Sequence, residues 1–163
     1  MSNTPKRAPA LRQAGCVAIG GRGLLIEGPP GSGKTSLGLM LLDRGAQLVG
    51  DDGVQLSVRD GQLWASPPPD TAGKLEVRNV GIIQLSAVDA PVALRLVLSD
   101  QPPRFIESAD TIEIKEIQIP TIDFDARGAA AAIRAEYALA LHGLPDPGHQ
   151  GCGEESALPL ARK

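Results

Sequence analysis

A glycine-rich segment carries the clearest chemical pattern in the sequence. Residues 28–35 read GPPGSGKT and match G-x-x-x-x-G-K-[ST] in full, with the apolar run LLIE before them and an aliphatic helical pattern after them. In such a loop, glycines let the backbone wrap a phosphate so that its N–H groups point inward at the positive end of a helix dipole. We therefore predict a nucleoside triphosphate site; the alternative is a Gly/Pro-rich turn that matches by accident.

The segment also predicts which groups hold the phosphates and the metal. The Lys34 amine is expected to reach the β and γ phosphates, and the Thr35 hydroxyl to take one position on Mg²⁺. The candidate nucleotide contacts are Gly28, Pro29, Pro30, Gly31, Ser32, Gly33, Lys34 and Thr35.

Two adjacent carboxylates, Asp51 and Asp52, follow the short apolar run QLVG. An aspartate at a strand end beside a phosphate loop can hold Mg²⁺, and ligands of open α/β sheets bind at such strand ends. A second carboxylate can accept the proton of a hydroxyl that attacks the γ phosphate. Neighbouring side chains on an extended backbone point to opposite sides, so one can face metal and the other substrate. The alternative is a polar turn.

Glu76 and Arg78 stand two residues apart in LEVRNVGIIQ and would share one face of a strand. There the carboxylate could complete a metal shell and the guanidinium could clamp phosphate oxygens. A surface ion pair on an edge strand gives the same spacing, and spacing alone favours it. Arg104, after two prolines, could neutralise transition-state charge or could be a solvated loop side chain.

Short strands and two helices are expected to position these groups. Glycines 20, 21 and 23 punctuate a hairpin, RDGQ supplies the turn of a second hairpin, and Gly45 is a plausible helix C-terminal cap. The expected order is strands 16–19 and 24–27, helix 35–44, a strand from 48, strands 54–58 and 63–65, loop 66–74, strand character over 75–85, 92–98 and 111–122, and helix 129–141.

A chain of 163 residues fits one domain. We predict a flexible, Pro-rich and basic arm over residues 1–12, a single domain over 13–143 and a disordered tail over 144–163. The fold class that this order favours is α/β, with a P-loop nucleotide-binding core and a mixed, strand-rich sheet.

Composition excludes several classes of partner. The net charge is −3 and the pI about 5.4, so no basic field attracts nucleic acid or a membrane surface. One Trp, one Tyr and two Phe leave an aliphatic core and no platform for base stacking. No apolar run approaches the ~20 residues of a membrane span, and no apolar segment follows the basic N-terminus. Cys16 and Cys152 lack metal-type spacing, which favours a reduced, cytoplasmic protein.

The ordered motifs resemble those of the HPr kinase/phosphorylase family, in its C-terminal catalytic domain and especially in its short proteobacterial members. They are CVAIGGRGLLIEGPPGSGKTSLGLMLLDRGAQLVGDD, then a long loop, then LEVRNVGIIQ, within about residues 11–106. The resemblance implies a P-loop core related to phosphoenolpyruvate carboxykinase. It also implies phosphorylation of a serine of the phosphocarrier HPr with ATP and Mg²⁺, reversal by phosphorolysis, and hexamers such as the long members form.

The resemblance assigns a role to each candidate. Lys34 would bind phosphates, and Thr35 and Glu76 would bind Mg²⁺. Asp52 would accept the proton in the kinase reaction and return it in phosphorolysis, with Asp51 in support. Arg104 would match a catalytic arginine, and Arg78 lies in the element needed for both activities.

Three departures from the family pattern stand out. The family places a catalytic histidine upstream of the glycine-rich segment, where this chain has Gln13, and Pro30 replaces the usual serine of the short members. The motif that contains a second catalytic loop in the long members is poorly matched here, in IPTIDFDARGAAAAI, residues 119–133. Glutamine cannot carry a proton. The resemblance therefore leaves open an HPr serine kinase with or without phosphorylase activity, a small-molecule kinase, or a catalytically weakened nucleotide-dependent sensor or regulator.

Overall fold

The structure, a computed structural model, describes residues 9–146. It contains eleven strands and two helices in the order β1 (Ala10–Arg12), β2 (Gly15–Ile19), β3 (Arg22–Glu27), α1 (Lys34–Asp43), β4 (Gln47–Gly50), β5 (Val54–Arg59), β6 (Gln62–Ser66), β7 (Lys74–Val77), β8 (Gly81–Gln84), β9 (Ala90–Leu98), β10 (Asp110–Ile114), β11 (Ile117–Phe124) and α2 (Ala131–His142).

Nine strands form one mixed sheet. Its order is β1-β5-β6-β9-β3-β2-β4, and β11 joins through β9 with β10 beside it. The start of β9 pairs antiparallel with β6, whereas its carboxyl-terminal half pairs parallel with both β3 and β11. The carboxyl ends of β3, β9 and β11 therefore lie at the same edge of the sheet. The mixed, strand-rich α/β architecture expected from the sequence is confirmed.

Tight turns close the hairpins of this sheet. Asp60 and Gly61, with φ of 49° and 76°, join β5 to β6, as the turn chemistry of RDGQ predicts. Gly20 and Gly21, with φ of 57° and 82°, do the same between β2 and β3. Gly45 (φ 103°) follows α1 and donates its N–H to the Leu42 carbonyl, which confirms the expected C-terminal cap.

Aliphatic side chains fill both faces of the sheet. In β3, Leu24 and Ile26 pack with the helices on one face, and Leu25 packs on the other, because successive strand residues alternate sides. Cys16 is buried on this second face. Burial raises the pKa of its thiol to about 12, so the thiol stays protonated and packs as a small apolar group.

Several expectations differ from the structure. The segment 75–85 is not one strand but the hairpin β7–β8, which forms a separate two-stranded sheet with a turn at residues 78–80. The range 111–122 is likewise a hairpin, β10–β11, because Lys115 and Glu116 adopt positive φ and reverse the chain. Polar residues can close such a turn without glycine, so the sequence gives no clear turn signal.

Part of the expected N-terminal arm is a strand. Ala10–Arg12 forms β1 and pairs with β5, although the sequence predicts an arm there. The rest of that arm, residues 1–8, and most of the expected tail, residues 147–163, lie outside the described residues. Within residues 9–146, neither helix is long and apolar enough to cross a bilayer.

Candidate functional site

The loop Gly28–Thr35 joins the carboxyl end of β3 to the start of α1. Gly31 and Gly33 have φ of 79° and 100°, a left-handed conformation that favours glycine. The Ser32 N–H donates to the Pro29 carbonyl at 3.1 Å and closes a turn inside the loop. Gly33 is the N-cap residue of α1 and has no side chain with which to bond the amides at the start of the helix.

Lys34 folds back over this loop. Its Nζ donates to the Gly28 carbonyl at 2.7 Å. A Cβ at Gly28 would lie 2.6 Å from Ser32 Oγ and 3.0 Å from the Leu98 Cβ, so the close packing of the loop requires glycine there. Within residues 9–146, the Ser32 hydroxyl is the buried side-chain oxygen that has no hydrogen-bond partner.

Asp51 is where the candidate groups meet. Thr35 Oγ1 donates to Asp51 Oδ1 at 3.1 Å, and the Glu76 N–H donates to Asp51 Oδ2 at 3.3 Å. Lys34 and Asp51 line one narrow cavity. Burial raises the pKa of Asp51 above its usual value, the Thr35 and Glu76 hydrogen bonds oppose this, and the charges of Asp52 and Glu76 add to it.

The two aspartates lie in a tight turn after β4 rather than on the strand itself. A Cβ at Gly50 would come within 2.2 Å of the Gly53 carbonyl oxygen, so only glycine permits this approach. Asp52 has φ 61°, and its side chain is exposed, whereas Asp51 is half-buried. The turn gives the two carboxylates different surroundings, as expected, although the expected cause, an extended backbone, is wrong.

The other candidates lie less close together. Glu76 is exposed on β7 and meets Asp51 through its backbone amide. Arg78 lies in the turn after β7, so the expectation that it shares a strand face with Glu76 is wrong. Arg104 is exposed in the loop between β9 and β10, and within residues 9–146 it makes no hydrogen bond or ion pair. Gln13 is exposed between β1 and β2.

Few carboxylates lie close enough together to form the expected metal site. Among residues 9–146, no group of three or more His, Cys, Asp or Glu side chains is arranged to hold a metal ion. Two oxygen-bearing groups do lie together, the Thr35 hydroxyl and the Asp51 carboxylate. The negative charges of Asp52 and Glu76 are close enough to raise the pKa of Asp51. Hydroxyl and carboxylate oxygens are the ligands that Mg²⁺ prefers.

A buried ion network beneath the loop was not anticipated from the sequence. Glu27, the residue before Gly28, is 9% exposed and accepts hydrogen bonds from Arg12 and Arg95. Burial opposes the charge, but the two arginines outweigh it and lower the pKa of Glu27. The available signal was a glutamate at the end of the apolar run LLIE, together with an arginine inside LRLVL.

Residues 125–128, which follow β11, also border the loop. The Ala126 Cβ lies 3.7 Å from the position of a Cβ at Gly33. Asp125 and Arg127, on either side of Ala126, form an ion pair. The resemblance assigns this segment to a poorly matched catalytic-loop motif, but the sequence analysis names no residue of it as a site candidate.

Comparison with known proteins gives consistent matches. A family model described as the HPr Serine kinase C-terminal domain matches residues 8–95. The HPr kinase/phosphorylase of Clostridium beijerinckii is 43% identical over 100 residues, which are 57% of this chain and 33% of that protein. The same enzyme of Clostridium perfringens (strain 13 / Type A) is 45% identical over 84 residues, 51% of this chain and 27% of that protein. The chain thus spans about a third of the length of the curated relatives it matches.

A solved structure agrees with these sequence matches. The structure of the Hpr(Ser) kinase/phosphatase from Coxiella burnetii aligns with a TM-score of 0.70 and 28% identity, over 78% of this chain and 92% of that one. The strand-rich fold is therefore similar to that of an HPr kinase. Because the family model matches more than half of the 163 residues, the chain belongs to the HPr serine kinase C-terminal domain family.

Proposed function

We propose that this protein is an ATP- and Mg²⁺-dependent serine kinase that acts on an HPr-type phosphocarrier protein. The observation that carries the proposal is the meeting of Thr35, Asp51 and the Glu76 amide beside the Gly28–Thr35 loop. Family membership supports HPr as the acceptor. A P-loop core related to phosphoenolpyruvate carboxykinase, and assembly into hexamers, belong to the same proposal.

The loop residues fit a triphosphate chain. Left-handed Gly31 and Gly33 curve the backbone, and the uncapped start of α1 leaves amide donors for an anion. The Lys34 amine already lies over the loop, on the Gly28 carbonyl, from which phosphate oxygens can take it. The unpartnered Ser32 hydroxyl is a further donor at the same place.

The oxygen groups around Asp51 fit Mg²⁺. Thr35 and Glu76 would hold the ion, with Asp51 in support. Asp51 is half-buried near the negative charges of Asp52 and Glu76, so a cation beside it would stabilise its ionised form. When bound, Mg²⁺ neutralises charge on the β and γ phosphates. Lys34 would also bind these phosphates, and Arg78 and Arg104 are candidates to neutralise charge on the transferred group.

Asp52 would act on the acceptor hydroxyl. Its carboxylate accepts the proton of the serine that attacks the γ phosphorus, and in phosphorolysis it would return that proton to the serine oxygen. The Asp52 side chain is exposed on a surface turn. Exposure suits a protein acceptor, because a small-molecule kinase needs an enclosed pocket with groups that anchor the metabolite.

Gln13 favours a second candidate function. If the histidine step is essential in the family, a chain with glutamine there would bind nucleotide without turnover and act as a sensor or regulator. Gln13 is exposed between β1 and β2, so replacing it should not disturb the core. Phosphate-dependent dephosphorylation of serine-phosphorylated HPr that appears only in Gln13→His would identify this residue as the cause.

The direct test is incubation with HPr, ATP and Mg²⁺, followed by detection of phosphoserine. A variant of HPr without the acceptor serine is the control, and a metabolite screen for ADP release without HPr tests the small-molecule alternative. Absence of phosphoserine at high protein concentration, with ATP binding intact, would reject the kinase. If the protein is instead a nucleotide-dependent regulator without catalytic activity, the wild type should bind ATP without turnover, and Lys34→Ala should abolish partner binding.

A further inference from the structure

Two arginines meet one carboxylate at the edge of the sheet that carries the glycine-rich loop. Glu27 ends β3, and Gly28 of the loop follows it directly. Arg95 of β9 pairs with the residue two before Glu27, so the two side chains leave the same face of the sheet. Arg12, at the end of β1, completes what we call the Arg12–Glu27–Arg95 cluster. Ligands of open α/β sheets bind in the crevice outside the carboxyl ends of parallel strands, and the cluster borders that crevice.

Arg12 also borders the turn that carries the two aspartates. It pairs with Val54 at the start of β5. Its carbonyl oxygen lies 4.0 Å from the position that a Cβ would take at Gly53, the residue after Asp52. The backbone of Arg12 thus contacts the aspartate turn, while its side chain reaches Glu27. The cluster therefore lies between the glycine-rich loop and the turn from which Asp52 would act on the acceptor hydroxyl.

The charges of the cluster favour an anion. Glu27 is ionised near neutral pH, because its pKa is lowered. It pairs with both Arg12 and Arg95, so one carboxylate charge stands against two guanidinium charges. The two arginine side chains are only 31% and 17% exposed, and water screens a charge less there than on an open surface. A ligand that brings negative charge would balance the second arginine.

Glu27 uses only part of the donors that the two arginines offer. Arg12 donates to it from Nε and, at 3.3 Å, from Nη2, and Arg95 donates from Nε. Within residues 9–146, Arg12 Nη1 and both Nη atoms of Arg95 donate to no protein group. The buried side-chain atom without a partner in that part of the chain is Ser32 Oγ, so these three nitrogen atoms are reached by solvent.

We propose that Arg12 and Arg95, held side by side by Glu27, bind a phosphate dianion on the side of the glycine-rich loop where the aspartate turn lies. The phosphate is either attached to the serine of the acceptor protein or free inorganic phosphate. The inference rests on the proposed function, because that reaction is what brings a phosphate to this side. It assigns phosphate binding to two residues outside both the glycine-rich loop and the aspartate turn.

Phosphate fits this donor set for two reasons. Its several oxygen atoms can accept hydrogen bonds from two guanidinium groups at once, which are charge-assisted and strong. The Glu27 carboxylate also holds both side chains in place before the ligand arrives, so less side-chain freedom is lost on binding.

Titration with inorganic phosphate, followed by phosphorus NMR, tests the site in the full chain. The Lys34→Ala background removes the lysine through which the glycine-rich loop would bind phosphate. In that background phosphate should still bind, and Arg12→Gln should weaken binding about tenfold or more, because a charged hydrogen bond to phosphate is lost. Arg12→Lys, which keeps the charge but not the fork, should lie between the two. Arg59→Gln removes an arginine from a surface ion pair with Asp89 and should change nothing.

Titration with serine-phosphorylated HPr distinguishes the two sources of the phosphate. With Lys34 present, Arg12→Gln should weaken binding of phosphorylated HPr about tenfold and leave binding of unphosphorylated HPr unchanged if the site holds the serine-bound group. A loss seen with inorganic phosphate alone would assign the site to the free ion. ADP should bind Arg12→Gln as it binds the wild type, because its phosphates occupy the glycine-rich loop.

The outcomes separate this inference from the proposed function. Unchanged binding of both phosphate probes in Arg12→Gln and in Arg95→Gln would overturn the site, and ADP binding would leave the nucleotide site standing. An equal loss in Arg59→Gln would reduce the effect to overall charge and would also overturn it. Failure of the wild type to bind ADP or ATP would overturn the proposed function and, with it, the assignment of this phosphate to the acceptor. Thermal unfolding identifies a folding defect; if Arg12→Gln has one, Arg12→Lys decides.

Discussion

Asp51 and Asp52 are adjacent in sequence but lie in different surroundings. Asp51 is half-buried and accepts hydrogen bonds from Thr35 and the Glu76 amide, whereas Asp52 is exposed on the same turn. A carboxylate held between a hydroxyl and an amide is fixed in position, which suits metal support. A carboxylate on the surface can approach a hydroxyl of another protein, which suits proton transfer.

Asp52→Asn should separate chemistry from binding. The amide cannot accept the proton, so we expect HPr phosphorylation to slow by about 10²–10⁴-fold with ATP affinity unchanged. Asp60→Asn is the matched control, because Asp60 is also an exposed aspartate with positive φ, at the distant end of β5. Phosphoserine formation and calorimetric ATP titration are the measurements. Equal rates in Asp52→Asn and the wild type would remove Asp52 from the reaction.

At the scale of elements, the turn between β4 and β5 depends on one glycine. A Cβ at Gly50 would lie 2.2 Å from the Gly53 carbonyl oxygen and 2.6 Å from Val54 Cγ1. Neither the backbone nor a β-branched core residue can move away at low cost. The position of the aspartate pair is therefore coupled to the packing of β5.

Gly50→Ala should destabilise the fold by about 1–3 kcal/mol through overpacking, and by displacing Asp51 it should raise the Mg²⁺ concentration needed for half-maximal activity. Gly38→Ala is the contrasting control. A Cβ at Gly38 meets nothing within 4 Å, and alanine in a helix should stabilise α1 by about 0.5–1 kcal/mol. Denaturant unfolding measures both changes. A Gly50→Ala variant as stable as the wild type would contradict the close approach seen in the turn.

Glu27 connects three strands below the glycine-rich loop. It lies on β3 and accepts hydrogen bonds from Arg12 on β1 and Arg95 on β9. Burial raises its pKa, but the arginines lower it further, so the net pKa is below the ordinary 4.5. A group whose pKa is lowered in the folded state contributes stability above its unfolded pKa and loses it as the pH falls through the folded value.

Glu27→Gln should therefore cost about 3 kcal/mol near pH 7, because it leaves two arginines without their charged partner. The difference from the wild type should shrink as the pH falls below the ordinary 4.5 and through the lowered pKa of folded Glu27, where the wild-type carboxylate becomes protonated. Denaturant unfolding from pH 7 downward measures it, with the exposed Glu113→Gln as control. A loss of stability at pH 7 no larger than that of Glu113→Gln would show that the charge of Glu27 does not stabilise the sheet.

How far the sequence determines these elements depends on the kind of signal. Glycine-based turns and the apolar helix α1 were predictable, because Gly20, Gly21 and Gly45 occupy positive φ that few other residues tolerate. The turn at Lys115 and Glu116 was not, because its residues carry no comparable preference. Motif order predicted that the aspartate pair lies beside the glycine-rich loop, but it did not predict the hydrogen bond between Thr35 and Asp51. The positions of Glu27 and Arg127 depend on strand pairing, which one sequence does not reveal.

At the scale of the whole molecule, the site joins elements of two separate sheets. The β7–β8 hairpin is a separate sheet, and the Glu76 N–H contact to Asp51 attaches it to the site. The segment that follows the hairpin is linked to β4 by a second hydrogen bond, which the Val88 N–H donates to the Leu48 carbonyl at 2.9 Å. A ligand that holds the loop, the aspartate turn and the hairpin together should therefore stabilise the molecule beyond its local contacts.

Saturating ATP with Mg²⁺ should raise the thermal midpoint of unfolding. Ligand at a hundredfold excess over its Kd contributes about 2.7 kcal/mol, which for a domain of this size is a shift of roughly 5–10 °C. The shift should require both components and vanish in Lys34→Ala, because that lysine amine lies over the loop at Gly28. Hydrogen exchange of residues 74–84 should slow in the same samples, since the hairpin is held to the site through Glu76. A thermal shift without slower exchange in the hairpin would confine the stabilisation to the glycine-rich loop and exclude Glu76 from the metal site.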